Sequence, residues 1–219
     1  MNGTNKELEG TNPIQICQMT IELVEVVSRV HMQAFKGGMN TRLGKSYIRK
    51  FLDWFVRVEA GIALVAIAKT GENEQIVGYV IGAPIDYGKA LNRDLFWVAG
   101  WNIMIRPWLI LSEQFRENIK SRLTVLFNPS HDQISKIDLP MPVMSLVGLA
   151  VMPNFQGQNI GRKLLCAFEK QARALHVRSL RLSVYPENLA ARRVYEKCCW
   201  VPYESSVSSG RAMFYCRIL

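Results

Sequence analysis

The chain has 219 residues, of which 49% are hydrophobic, and its 27 Lys and Arg outnumber 18 Asp and Glu to give a net charge of +9. That length fits one domain with a sizeable core rather than two domains, and the hydrophobic content indicates a globular protein. The positive charge favours an anionic partner, such as nucleic acid, an acidic membrane or a phosphorylated ligand, although it equally serves solubility.

Cysteine usage and the polar start of the chain indicate a reducing, cytoplasmic setting. The five cysteines, at positions 17, 166, 198, 199 and 216, have an odd number and no regular spacing, which disfavours a disulfide framework. No CxxC or HxxxH pattern predicts a metal site, and we expect His31 to pack within a helix. Residues 1–12 lack a hydrophobic signal segment and are predicted to be disordered, which leaves residues 13–219 as a single domain.

The first third of the chain predicts a strand, two helices and a hairpin. The predicted bounds are residues 14–19 for the strand, 22–35 and 43–58 for the helices, and 62–68 and 76–83 for the hairpin strands. Thr20 is a plausible N-cap for the first helix. Ile48, Phe51 and Phe55 recur at helical spacing in the second.

A long connection follows, over residues 86–139. A structureless loop of that length is uncommon in a compact domain, so we predict inserted helices, one of them over residues 112–127. The preceding stretch, 95–111, contains Trp97, Trp101 and Trp108 and is too short for a comfortable membrane span. Three interpretations stay open: a helical pair packed on the domain, a lid over a substrate site, or a segment that contacts a membrane surface through its tryptophans.

The most informative part of the sequence is a strand, a glycine-containing loop and a helix. Residues 143–151 are rich in Val and Leu and predict a buried strand, the loop is Gln156 to Gly161, and apolar residues then recur at helical spacing as far as Leu175. The first turn of a helix offers free N–H groups and a partial positive charge, so we expect a phosphate to bind there. Neither the Walker A motif nor the dinucleotide fingerprint fits the spacing.

This loop resembles the acetyl-CoA loop, Q/R-x-x-G-x-G/A, of the GNAT superfamily of N-acetyltransferases. Gln156 fills the first position and Gly161 the last, while Asn159 replaces the middle glycine. Asparagine is the non-glycine residue that best tolerates a left-handed backbone.

A second segment strengthens the resemblance, which clearly covers residues 143–219. After an alternating strand at 179–185, the family pattern N-x-x-A-x-x-x-Y-x-x-x-G-F is matched by Asn188, Ala191 and Tyr195, with Cys199-Trp200 in place of Gly-Phe. The resemblance implies an α/β fold with a mixed, mostly antiparallel central sheet flanked by helices. The helical insertion at 86–139 would precede its central strand.

The resemblance also implies an enzyme that moves an acetyl group from acetyl-CoA to a primary amine by direct attack, without a metal. The residues it places on the cofactor are Leu149, Ala150, Val151, Gln156, Gly157, Gln158, Asn159, Ile160, Gly161, Arg162 and Asn188. Asn188 would also cap the helix that carries Tyr195, and Lys163 and Arg192 are further candidates for the CoA phosphates. Tyr195 would be the general acid, because a phenol with a pKa near 10 is protonated at neutral pH; a core aromatic is the alternative.

The acceptor and the general base are less well defined. The run from His31 to Phe55 weakly resembles acetyltransferases of bacterial surface-polysaccharide synthesis, which would suggest an amino sugar; a peptide, a protein or a small amine are the alternatives. Ser145 is the only polar residue of the predicted central strand, and Asp138, Glu59 and Asp86 are candidate bases without positional support.

Two other functions compete with an enzyme. One is a non-catalytic CoA-binding module of the same fold, against which Asn188 and Tyr195 argue. The other is nucleic-acid binding, which we do not expect because the sequence lacks a clustered basic run with interleaved aromatics. A homodimer and peripheral membrane contact through residues 95–111 are compatible with the sequence.

Overall fold

The computed structural model describes residues 13–70, 73–105, 139–203 and 212–219. Its strands are β1 Ile14–Gln18, β2 Ile62–Thr70, β3 Asn73–Pro84, β4 Val143–Val151, β5 Ser179–Val184, β6 Val201–Tyr203 and β7 Met213–Ile218. Its helices are α1 Val24–Ala34, α2 Met39–Leu43, α3 Lys45–Arg57, α4 Tyr87–Met104, α5 Ile160–Ala174 and α6 Leu189–Lys197.

The strands form one sheet in the order β1-β2-β3-β4-β5-β7-β6. Every neighbouring pair is antiparallel except β4 with β5, which confirms the predicted mixed, mostly antiparallel sheet. The parallel pair is short, because it runs only from Val143 opposite Ser179 to Ser145 opposite Arg181. Beyond Ser145, β4 is paired only with β3, so a split opens between β4 and β5.

Each face of the sheet carries its own hydrophobic core, because successive strand residues point to opposite sides. Tyr79 and Ile81 lie on the face packed against α1, α3 and α4, which we call the α1 face. Val80 and Leu146 lie on the opposite face, against α5 and α6, which we call the α5 face.

The predicted strands and helices before the long connection are present, but their bounds differ by a few residues and the short helix α2 was not predicted. A 3-10 turn at Ile21–Leu23 precedes α1, and Thr20 makes no side-chain hydrogen bond to cap that turn. The helix therefore begins at Val24 rather than at residue 22. Part of the polar hairpin turn, residues 71–72, lies outside the described residues.

The described part of the long connection is helical, and the helix starts earlier than the apolar stretch suggested. α4 begins at Tyr87, with Asp86 at its N-cap, and it buries Leu91 and Leu95. Its tryptophans point outward instead, since Trp97 is 81% exposed and Trp101 is 62% exposed. The predicted helix at 112–127 and Trp108 lie outside the described residues, as does the predicted disordered segment 1–12. In the part of the chain that is described, the helices are too short or too polar to cross a bilayer.

Candidate functional site

The loop between β4 and α5 has the backbone geometry of an anion site. A 3-10 turn at Pro153–Phe155 leads into it, and Gly157 and Asn159 adopt left-handed conformations with φ of 80° and 59°. Asn159 is the N-cap of α5 but makes no side-chain hydrogen bond to its first turn. The N–H groups of that turn have no acceptor within the helix, so they can bind an anion.

Two contacts bring the end of β4, the start of α5 and α6 together around this loop. Gln156 Nε2 donates a hydrogen bond to the carbonyl oxygen of Val151 at 3.1 Å, which ties the loop back to β4. A methyl group added at Gly161 would lie 3.9 Å from the side chains of Leu149 and Val151 and 4.0 Å from Val194 on α6. The missing side chain at Gly161 therefore leaves the meeting point of these three elements open.

Alternate residues of β4 direct their backbone N–H and C=O groups toward the split. The N–H of Met152 donates to the carbonyl of Val77 on β3 at 2.8 Å, and backbone groups of a strand point alternately to its two neighbours. Leu149 and Val151 therefore direct their N–H and C=O groups toward the split, whereas Ala150 directs its own to β3. The β3–β4 register also skips Val147, a bulge that bends β4 where the split begins.

Tyr195 lies on α6 in the core of the α5 face and is 6% exposed. Its ring centroid is 6.0 Å from that of Trp200 and 6.1 Å from that of Tyr215. Burial raises the pKa of Tyr195 to about 12, so the phenol is protonated at neutral pH. Asn188 caps this helix as expected, because its Oδ1 accepts the N–H of Ala191 at 3.1 Å.

The basic residues near the loop have different surroundings. Arg162 and Lys163 are exposed on the first turn of α5, where they can approach a phosphate on the loop. Arg192 is engaged elsewhere: its Nε donates to Tyr215 Oη at 3.2 Å and its Nη1 to the Pro186 carbonyl at 3.1 Å. Arg192 therefore links α6 to β7 rather than pointing a free guanidinium toward the loop.

The candidate bases are not gathered at the split. Glu59 is exposed in the turn after α3, Asp86 is exposed at the start of α4, and Asp138 lies outside the described residues. Ser145 is buried on β4 at the last residue pair before the split. Among the residues that the structure describes, no group of three His, Cys, Asp or Glu side chains could hold a metal ion.

Sequence reasoning missed a buried pair on the α1 face. His31 is 5% exposed, as a packing residue should be, and a hydrogen bond of 2.6 Å joins its Nδ1 to Tyr79 Oη. Tyr79 lies opposite Ala150 of β4 and is the only hydroxyl-bearing residue in the apolar run from Ile76 to Ala83. A polar group within such a run predicts a buried partner, and this signal could have been used.

Comparison with known proteins agrees with this geometry. Residues 124–199 match the Acetyltransferase (GNAT) family. No curated protein sequence matches the chain.

Solved structures share the fold at low sequence identity. The PaiA N-acetyltransferase of Thermoplasma acidophilum, in complex with coenzyme A, has a TM-score of 0.58 at 13% identity, over 94% of this chain and 99% of its own. A polyamine N-acetyltransferase of Drosophila melanogaster has a TM-score of 0.58 at 14% identity, over 94% and 100%. A ribosomal-protein-alanine N-acetyltransferase of Brucella melitensis has a TM-score of 0.56 at 14% identity, over 94% and 99%.

These structures share the fold, and the family match covers the split strand, the loop and the Tyr195 helix. The chain is therefore similar to the GNAT family in sequence over residues 124–199 and similar in fold to solved N-acetyltransferases.

Proposed function

We propose that the protein transfers an acetyl group from acetyl-CoA to a primary amine. The observation that carries this proposal is the split between β4 and β5, which opens directly beside the uncapped first turn of α5. An extended ligand with a phosphate at one end and hydrogen-bonding groups along its arm fits that combination. The CoA in the complex with the Thermoplasma acidophilum enzyme is such a ligand.

In this proposal the pyrophosphate lies over Gln156 to Gly161, and Arg162 balances its charge. Gly157 and Asn159 supply the left-handed turns that aim successive N–H groups at the phosphates. The pantetheine arm then runs along the edge of β4 that faces the split, where Leu149 and Val151 direct their backbone groups. Ala150 lies between them with its backbone on β3, and Asn188 holds the start of α6 across the split.

The chemistry follows from these positions. The neutral amine attacks the thioester carbon, and the developing oxyanion is stabilised by a backbone N–H of β4, with Leu149 as the nearest candidate. The carbon–sulfur bond breaks, the amide forms, and the thiolate receives a proton from Tyr195. Tyr195 regains a proton through solvent from the amine nitrogen, which loses one on becoming an amide.

For the acceptor we propose an amino sugar, on the weak resemblance of the run from His31 to Phe55. The structural neighbours include a polyamine enzyme and a ribosomal-protein-alanine enzyme, so the shared fold is compatible with very different amines. A peptide, a protein or a small amine therefore remain the alternative acceptors.

Two variants and one screen test this function. Acetyl-CoA turnover is measured as released thiol across amino sugars, peptides and polyamines. Tyr195→Phe should lower turnover ~10²–10⁴-fold with the best acceptor, the usual contribution of a positioned proton donor, while acetyl-CoA affinity and melting temperature stay near wild type. Tyr203→Phe, at a half-buried tyrosine of β6, is the matched control and should keep its turnover. Wild-type turnover in Tyr195→Phe would assign proton delivery to solvent.

The same screen separates the rival functions. A CoA-binding module without catalysis would bind acetyl-CoA and release no thiol with any acceptor.

The exposed Trp97 and Trp101 keep α4 a candidate for membrane-surface contact, and a shift in tryptophan emission on adding anionic vesicles would support peripheral association in the cytoplasm. A homodimer would be seen by light scattering.

A further inference from the structure

The point where β4 and β5 part carries polar side chains that the proposed mechanism does not use. Ser145 and Arg181 form the last pair of the two strands, about 4.8 Å apart across the sheet. Ser145 also lies opposite Ala83, which belongs to the core of the α1 face. Paired residues share a face, so Ser145 and Arg181 both project on the α1 face, at the closed end of the split.

The Ser145 hydroxyl has no hydrogen-bond partner among the described residues. Ser145 is 5% exposed, and its Oγ makes no hydrogen bond within the part of the chain that is described. The hydroxyl of Ser179, two residues before Arg181 on β5, is in the same situation. A buried hydroxyl without a partner is destabilising, and most such groups in proteins are paired, so a bound molecule is a natural partner.

Arg181 supplies a cation next to that hydroxyl. Its guanidinium carbon lies 5.9 Å from the centroid of the Phe214 ring on β7, and the side chain is half-buried. No carboxylate among the described residues lies within ion-pair distance of it. A guanidinium offers forked N–H donors that match a carboxylate or a phosphate, and the Phe214 ring holds this fork in place.

We propose that the acceptor amine carries a carboxylate or phosphate group, which Arg181 and Ser145 bind at the closed end of the split. This inference rests on the proposed acetyl transfer and names the chemical class of its acceptor. Ser145 lies four residues before Leu149, roughly 13 Å along β4. That distance leaves room for a sugar-sized body between the anion and the reacting amine.

Matched pairs of acceptors test the proposal. Glucosamine 6-phosphate is compared with glucosamine, and ornithine with putrescine, so that each pair differs mainly by one anionic group. Wild type should prefer the anionic member of at least one pair, and the pair that responds distinguishes phosphate from carboxylate. Arg181→Gln should raise the KM of that member roughly 10-fold or more, because hydrogen bonds to charged groups contribute about 1.5–3 kcal/mol. Arg181→Lys should restore part of the loss.

Three controls assign the effect to the subsite. Arg178→Gln makes the same substitution at an exposed arginine just before β5 and should change neither KM. Ser145→Ala should raise the KM of the anionic member without lowering the melting temperature. Both Arg181→Gln and Ser145→Ala should leave the KM for the neutral acceptor and the affinity for acetyl-CoA unchanged.

The proposal is overturned if Arg181→Gln weakens both members of a pair equally, if it weakens acetyl-CoA, or if wild type prefers neither anionic amine. Calorimetry separates this failure from failure of the proposed activity. Glucosamine 6-phosphate and ornithine are titrated into CoA-saturated protein, where no acetyl group is available. Binding that depends on Arg181 without any turnover would keep the anion subsite and remove the catalytic function, whereas no binding of either compound would remove the subsite.

Discussion

The buried pair of His31 and Tyr79 makes the stability of the fold depend on pH in a predictable way. His31 is enclosed by the rings of Phe35 and Phe51 and is hydrogen-bonded to Tyr79, with no carboxylate partner among the described residues. Burial lowers the pKa of His31 from 6.5 to about 4. The unfolded chain therefore binds one more proton than the folded chain between these two values, and the stability falls as the pH is lowered through this window.

The magnitude follows from the size of the shift. The lowering of the His31 pKa from 6.5 to about 4 corresponds to about 3 kcal/mol in the free energy of unfolding. This stability is fully present above pH 6.5 and is lost progressively as the pH falls toward 4. In His31→Gln that dependence should disappear, and the difference in unfolding free energy between wild type and variant should change by about 1.4 kcal/mol per pH unit within the window. Glutamine retains an acceptor for Tyr79, so the variant is expected to fold.

Urea unfolding at half-unit steps from pH 4 to pH 7.5 measures this difference. His176→Asn is the matched control, because His176 is exposed and asparagine tolerates its left-handed backbone. If the unfolding free energies of wild type and His31→Gln changed with pH in parallel, the lowered pKa of His31 would be wrong, since the imidazole would then titrate alike in the folded and unfolded states.

Two further predictions concern the packing of the sheet and the turn after α6, both measured by urea unfolding. Gly82→Ala should destabilise the fold by about 1–3 kcal/mol, because the added methyl group would lie 2.5 Å from the Phe168 ring and 2.6 Å from the Ser145 carbonyl oxygen. Gly100→Ala is the control: its methyl group would enter open space on α4, and the substitution should be stabilising. Cys199→Gly should stabilise by about 1 kcal/mol, because Cys199 has a φ of 61° that glycine adopts without strain, and an unchanged or lower stability would contradict this.

Local patterns predicted much of the fold because they depend on neighbours in sequence. The strand at Val143–Val151 was predicted with its observed bounds, since a run of Val and Leu between turn residues has few alternatives. The Asn188 cap was also predicted, because capping needs only the three residues that follow it. The start of α4 at Tyr87 was missed, because its first two turns mix polar and apolar residues and the helix has no clear apolar face.

The arrangement of the site depends on contacts that sequence spacing does not contain. The split arises because the β4–β5 pairing stops at Ser145 and Arg181, and those two residues are 36 positions apart. The same holds for the hydrogen bond between His31 and Tyr79, which joins a helix to a strand across 48 positions. Register between distant strands is set by the whole packed core, so residue types alone could not place Arg181 beside Ser145.

Calorimetric titration of acetyl-CoA into wild type, Gly161→Leu and Gly161→Ala tests whether the pyrophosphate binds over the loop from Gln156 to Gly161. A leucine at this position would fill the meeting point of β4, α5 and α6, whereas a single methyl group makes only ordinary contacts. We expect binding to wild type and Gly161→Ala and a loss of affinity of roughly tenfold or more, at least about 1.4 kcal/mol, in a folded Gly161→Leu protein. Equal affinity in all three proteins would contradict the assignment of the pyrophosphate to the loop from Gln156 to Gly161.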